Sequence, residues 1–160
     1  MILKRMKRRH TREDAIDLCT RLKTARPEMT FGADIIAGFP TEDDAMFENS
    51  RRIISEIGIP WLHVFPFSAR EGTPAAKMPS VNGGDIKARA KALRAAGDAA
   101  RLAHWDRRLG EEDIGLFEET GLARLPDFTL VAVDMPLKSG SLGAIKITGH
   151  NGKHATGRVL

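Results

Sequence analysis

Cysteine is almost absent from this sequence: Cys19 is the single one in 160 residues. An internal disulfide is excluded, and no CxxC or Cys/His spacing is present that could build a zinc site. Cys19 sits among Ile16, Leu18 and Leu22 at helical spacing, the setting of a buried small hydrophobe. No apolar run approaches the ~20 residues of a membrane span. The opening MILKRMKRRH is basic but has no apolar stretch behind it, so it does not read as a secretory signal, and a cytoplasmic protein is expected.

Acid is missing from both ends. The first twelve residues carry Lys4, Arg5, Lys7, Arg8, Arg9 and Arg12 with no Asp or Glu, and from residue 135 onward Lys138, Lys146, Lys153 and Arg158 again stand without acid. Between them Glu111, Glu112, Asp113, Glu118 and Glu119 make a short acidic zone. Two basic ends suit contact with a polyanion, although charge alone fits a solvated face equally well. Hydrophobic residues at 42% and charged residues at 29% are ordinary for a globular chain, which at this length holds one medium domain or two small ones.

What is present reads first as α/β. Thr11 followed by Asp14 predicts a capping box, and Ala15, Ile16, Leu18, Cys19, Leu22 and Ala25 form a helical stripe ending before Pro27. MTFGADIIA predicts a strand whose end is buried on both faces. Thr41 with Asp44 repeats the capping pattern; Met46, Phe47, Ser50, Ile53, Ile54 and Ile57 line one face of a second helix, and Gly58 is placed to end it. WLHVFPF predicts a second strand, followed by a Pro/Gly-rich loop from residue 68 to about 84 and a long helix over about residues 85–109. This is the pattern of parallel βαβ units, yet two strands are too few for a self-sufficient sheet. More strands are expected from another polypeptide or from a longer protein. After Gly110, the runs DIGLFEE, FTLVAVD, LGAIKITGH and HATGRVL predict a small antiparallel barrel. The expected division is an α/β part over residues 1–110 and a barrel over residues 111–160. Trp105 and Leu109 are expected to seat the long helix on the barrel.

DIIAGFPTED, residues 34–43, joins the first strand to the second helix. A glycine turn there suggests a phosphate cradle, but Glu42, Asp43 and Asp44 would face the phosphate, and the lysine of a P-loop is missing. A neutral or cationic ligand fits better, held by the backbone around Ile36 and Gly38 and packed against Phe39, at the strand end where α/β folds bind ligands. Ser68, Arg70 and Thr73 cluster where the loop after the second strand emerges. Arg70 either pairs with a carboxylate or phosphate through its planar fork or only ties the loop to its own backbone.

LKRMKRRHT, DIIAGFPTEDDAMF and HVFPFSAREGTPAAKMP, in this order and spacing, resemble the C-terminal half of the radical SAM methylthiotransferases, whose barrel carries GFPGET-like and SPRPGT-like motifs at the ends of its last two strands. The tail from about residue 112 resembles the TRAM domain, the RNA-binding β-barrel that ends those enzymes. RMKRRHT and HVFPFS most resemble the branch acting on threonylcarbamoyladenosine at position 37 of tRNA; sister branches act on isopentenyladenosine in tRNA or on a ribosomal protein. The fold implied is the C-terminal part of a radical SAM partial (β/α) barrel followed by a small antiparallel, TRAM-like β-barrel.

The activity implied is transfer of a methylthio group to C2 of the modified adenosine. In the family one [4Fe-4S] cluster cleaves S-adenosylmethionine to a 5′-deoxyadenosyl radical, a second [4Fe-4S] cluster delivers sulfur, and another S-adenosylmethionine supplies the methyl group. Carried over by position, Ile36, Gly38 and Phe39 flank the adenosine part of S-adenosylmethionine, Phe67 and Ser68 lie near it, and Arg70 stands in the mouth. The sulfonium of that cofactor suits an acidic, lysine-free turn. Lys138, Lys146, Lys153 and Arg158 are the candidates for holding tRNA.

The departures from the family are equally informative. Its radical cluster needs the three thiolates of CxxxCxxC and its auxiliary cluster needs three more, whereas Cys19 matches neither set, so no cluster is expected on this chain. Asp43 replaces the usual threonine, Ala69 and Glu71 replace prolines, and Phe67 a frequent tyrosine. The expectation is a fragment, inactive alone: a truncated product, an internal start, or a piece completed by the missing N-terminal part as a separate chain. Expected partners are tRNA and S-adenosylmethionine but no membrane, with self-association through an unpaired MTFGADIIA edge. Two other readings stay open. One is a stand-alone RNA-binding module, which with only Phe117 and Phe128 in its tail would lean on phosphate contacts, His150 and His154 being exposed loop residues. The other is a non-functional gene fragment.

Overall fold

Thr11 closes the capping box expected of it. Its hydroxyl accepts from the Asp14 N–H at 3.1 Å while the Asp14 carboxylate accepts from the Thr11 N–H at 2.7 Å. In the computed structural model, which describes residues 2–119 and 121–160 but not the side chain of Glu119, a short α1 (Ile2–Arg5) precedes this cap and α2 (Arg12–Ala25) follows it. Then come β1 (Gly32–Ala37), α3 (Asp44–Ile57), β2 (Trp61–Pro66), a 3-10 turn (Pro74–Lys77) and the long α4 (Gly83–Arg107). Gly58 ends α3 as expected, in the left-handed conformation (φ 72°), with its N–H on the Ile54 carbonyl. The cap of α3, however, is Asp43, whose carboxylate accepts from the Met46 N–H at 2.8 Å. Thr41 is not available for that role: its φ of 69° lies outside the extended region an N-cap needs.

The chain divides into two units, Met1–Arg101 and Leu102–Leu160. In the first, β1 and β2 form a two-stranded parallel sheet with Asp34 beside His63, Ile35 beside Val64 and Ile36 beside Phe65. Alternation sends Ala33, Ile35, Leu62 and Val64 to one face, where they pack with Ile16 and Cys19 of α2, Ile54 and Ile57 of α3, and Ala90 and Leu93 of α4. The opposite face is open: Asp34, Ile36, His63 and Phe65 are all exposed. The expectation that the end of β1 is buried on both faces therefore fails at Ile36, which is 37% exposed, because all three helices cover the same side. Leu18 likewise turns outward from the α2 stripe.

The second unit is a closed barrel of β3 (Glu112–Glu119), β4 (Leu122–Arg124), β5 (Leu130–Val133), β6 (Leu142–His150) and β7 (Ala155–Val159), in the order β3-β4-β5-β7-β6. It is not wholly antiparallel, since β5 and β7 run parallel. An odd number of strands closed into a ring cannot alternate direction throughout, so one pair must be parallel. Strand β4, only three residues long, has no β-prone run to announce it. Phe117, Ala123, Val131, Ile145 and Ala155 fill the interior with no exposed surface.

Trp105, near the end of α4, is buried in this unit with its ring 5.8 Å from that of His150, whereas Leu109 is largely exposed and seats nothing. His150 and His154 are half-buried rather than exposed loop residues. His150 also lies 3.2 Å from Asp106, which holds it to the last turn of the helix.

Candidate functional site

The turn after β1 is built around Gly38. Its φ of 72° favours glycine, and a Cβ there would lie 2.5 Å from the Ile86 side chain. Its N–H donates to the Glu42 carboxylate at 2.9 Å. Glu42 is buried, and Arg89 of α4 clamps it: one guanidinium nitrogen reaches the Glu42 carbonyl at 3.0 Å and its carboxylate at 2.9 Å, the other reaches Asp44 at 2.7 Å. Burial pushes the Glu42 carboxyl above its usual range, opposed by the Gly38 N–H and the Arg89 guanidinium. Asp43 serves as the helix cap. All three acids of the motif are thus engaged by the protein itself. Arg89, which organises two of them, stands 47 residues from Glu42 in sequence, and the only sign of it was that so many acids at one turn require a nearby cation.

Around this turn the structure brings several of the expected residues together. The Phe67 N–H donates to the Ala37 carbonyl at 2.8 Å, extending the strand pairing past the end of β2. The Phe39 ring, 5% exposed, meets Phe67 edge-on with centroids 5.5 Å apart. Ile36 lies beside Phe65 on the open face, where both side chains are exposed. Ser68 and Arg70 are exposed in the loop that follows. Thr73 donates to the Arg70 carbonyl through both its N–H and its hydroxyl, so it is the backbone of Arg70 that ties the loop. The guanidinium makes no ion pair or hydrogen bond among the described residues.

No group of three or more His, Cys, Asp or Glu side chains is placed to hold a metal ion among the described residues. Cys19 is half-buried on α2, and burial raises its thiol pKa.

The four basic candidates on the barrel are not gathered in one place. Lys146 and Arg158 are neighbours across β6 and β7, and Lys146 pairs with Glu112 at 3.1 Å. Lys138 precedes β6 and Lys153 follows it, separated by the nine residues of that strand. Phe117 is wholly buried, which leaves Phe128, 69% exposed at the turn between β4 and β5, as the ring free to stack.

No family model matches the chain. Over 149 residues it is 47% identical to the threonylcarbamoyladenosine tRNA methylthiotransferase MtaB of Rickettsia prowazekii (strain Madrid E), an alignment covering 93% of this chain and 35% of that relative. Over 152 residues it is 36% identical to the tRNA-2-methylthio-N(6)-dimethylallyladenosine synthase of Cereibacter sphaeroides (strain ATCC 17029 / ATH 2.4.9), covering 95% of this chain and 33% of the relative. The chain belongs to the radical SAM tRNA methylthiotransferase family. It corresponds to the C-terminal region of these methylthiotransferases. A further family member, the enzyme of the same name as the second from Ruegeria pomeroyi, is 34% identical over 120 residues, 75% of this chain and 27% of the relative. The chain spans about a third of the length of the methylthiotransferases it matches.

Proposed function

We propose that the chain is the C-terminal part of an enzyme that adds a methylthio group to C2 of adenosine 37 in tRNA by radical SAM chemistry, with N6-threonylcarbamoyladenosine as the modified base. The observation that carries this reading is the open face of β1 and β2, which ends at the Gly38 turn, in a chain 47% identical to a threonylcarbamoyladenosine enzyme and 36% identical to a dimethylallyladenosine one. The two-stranded sheet, covered on one side only, fits the end of a (β/α) barrel whose interior face lines the site. The small closed barrel fits a TRAM-like RNA-binding domain. A tRNA substrate implies the cytoplasm as the place of action. No helix among the described residues is long and apolar enough to cross a membrane.

The residues at the strand ends suit S-adenosylmethionine, which when bound supplies the methyl group and the radical. Ile36 and Phe65 offer an exposed apolar surface to an adenine ring, Ser68 a hydroxyl, and Arg70 an unengaged planar fork. Gly38, Phe39 and Phe67 shape the turn behind them. An iron–sulfur cluster does not fit this chain, because three thiolates are required and Cys19 is the only one. The chain therefore acts only with the rest of the enzyme, supplied as a separate polypeptide or as part of a longer one.

Two measurements test the proposal. Anaerobic reconstitution of the isolated chain should give no stoichiometric iron or sulfide and no methylthiolated tRNA by nucleoside mass spectrometry. Addition of the remaining part of the Rickettsia relative should give 2-methylthio product on threonylcarbamoyladenosine. A cluster on the isolated chain would overturn the fragment reading, and a mixture that assembles but yields no product would overturn the enzyme reading. A stand-alone RNA-binding module is the second reading, favoured by the exposure of Lys138, Lys153 and Arg158. It requires tRNA binding at low salt by the isolated chain.

A further inference from the structure

The end of α1 and the loops preceding α3 and α4 meet at one residue. Thr41, before α3, accepts from the Arg5 guanidinium on its carbonyl at 3.3 Å and also on its hydroxyl. Its own N–H donates at 3.1 Å to the carbonyl of Pro79, before α4. This staple draws the basic N-terminal run to the C-terminal edge of the sheet, beside the Gly38 turn.

Within that run the residues divide by role. Ile2, Leu3 and Met6 are half-buried, Arg5 is held by Thr41, and Arg12 is held by Glu56 at 2.6 Å and by the Asn49 carbonyl. Lys4, Lys7, Arg8 and Arg9 remain, all exposed and without an ion pair among the described residues. The acids of the adjoining turn are outnumbered: Arg89 offsets one of the three carboxylates, and Lys4, Arg5, Lys7, Arg8 and Arg9 exceed the two negative charges left over. Cations therefore outnumber acids across the N-terminal run and the turn it adjoins, in spite of the acidic motif.

We propose that Lys4, Lys7, Arg8 and Arg9 form a phosphate-gripping rim that seats the backbone of an RNA stem-loop at the mouth of the Gly38 turn. The proposal rests on the tRNA reading above and adds a binding surface outside the barrel. Arginine forks match phosphate geometry, and four exposed cations within six residues are denser than anything on the barrel, where Lys138 and Lys153 lie at opposite ends of β6. An anionic membrane fits less well. Surface-bound segments anchor through exposed apolar side chains, and here Ile2, Leu3 and Met6 are half-buried against the protein's own residues rather than exposed.

The test uses the full chain and a fluorescein-labelled RNA stem-loop with the sequence of an unmodified tRNA anticodon arm, titrated by anisotropy at a series of salt concentrations. The variant Lys7→Ser/Arg8→Ser/Arg9→Ser should lower the slope of log K against log salt by about three, one for each phosphate no longer gripped. At ~50 mM salt it should bind at least ~10-fold more weakly, with unchanged circular dichroism. An unchanged slope would overturn the rim, especially if Lys138→Ser/Lys153→Ser/Arg158→Ser removed the binding. Absence of RNA binding by the unaltered chain would overturn it as well. So would sedimentation with phosphatidylserine vesicles that the N-terminal variant abolishes while RNA binding persists. If rim-dependent RNA binding holds but the completed enzyme yields no methylthiolated adenosine, the enzyme reading falls and the rim stands.

Discussion

Gly38 has no space for a methyl group and holds a backbone angle that other residues adopt at a cost of ~1–2 kcal/mol. Gly38→Ala should add to this the displacement of Ile86, lowering stability by about 2–4 kcal/mol in urea titration. Thr41 presents the converse case. It keeps a left-handed conformation, unusual for a β-branched residue, at the position where the GFPGET-like pattern has glycine. Thr41→Gly should leave stability unchanged or raise it by up to ~1 kcal/mol, since relief of strain offsets removal of the hydroxyl while the bond from Arg5 to the carbonyl survives. A loss of more than ~1 kcal/mol would mean that the Thr41 hydroxyl holds the loops together. The acids of this motif were plain in the sequence, but their purpose was not. A carboxylate that faces a ligand and one clamped by an arginine far along the chain look alike until the fold brings Arg89 over Glu42. Removing one partner of such a buried pair costs ~3–5 kcal/mol, so Arg89→Met should be strongly destabilising. In a double-mutant cycle Glu42→Gln should recover part of that loss.

At the scale of elements, one carboxylate gathers several of the groups that tie the end of α4 into the barrel unit. Asp127 receives His104 and Arg108, each at 2.7 Å, and both the N–H and the hydroxyl of Thr129 at 2.9 Å. Burial acts against its charge, but His104, Thr129 and Arg108 outweigh burial and hold its pKa at about 2. With the folded value depressed below 3.8, the unfolded state takes up the proton first as pH falls. The stabilisation is complete above pH ~4 and disappears as pH drops toward 2, a change of about 2 kcal/mol. Asp127→Asn should therefore lower stability at neutral pH by about that amount and flatten the acid limb of the barrel's stability profile. Denaturant titrations at several pH values measure both. The elements themselves were largely readable from periodicity and caps, as the Thr11 box and the Gly58 stop illustrate. The three residues of β4 carry too little pattern to be read alone, and the parallel pairing of β5 with β7 follows from closing five strands, a constraint that no single strand carries. The spacing of His104 and Arg108 places them on one helical face, but their partner Asp127 becomes visible only in the fold.

At the scale of the whole molecule, two units with separate cores should unfold separately. Two transitions are expected, with Gly38→Ala moving only the first unit and Asp127→Asn only the second. A single transition shifted equally by both variants would mean that the continuous helix α4 couples the units. The first unit also carries a two-stranded sheet with open outer edges and one uncovered face, on which Ile36 and Phe65 are exposed. Unpaired edges and apolar faces recruit other chains, so association that increases with concentration is expected from light scattering. The variants separate its two sources. Ile36→Lys with Phe65→Lys places charge on the open face and leaves the backbone edges intact. Dissociation to monomers would assign the association to the face, while persistence would assign it to the edges. An unaltered chain that stays monomeric at every concentration would remove the argument that this sheet is incomplete. On the proposed reading, in which the rest of the enzyme supplies further strands to this edge, the completed enzyme should also associate less than this chain alone.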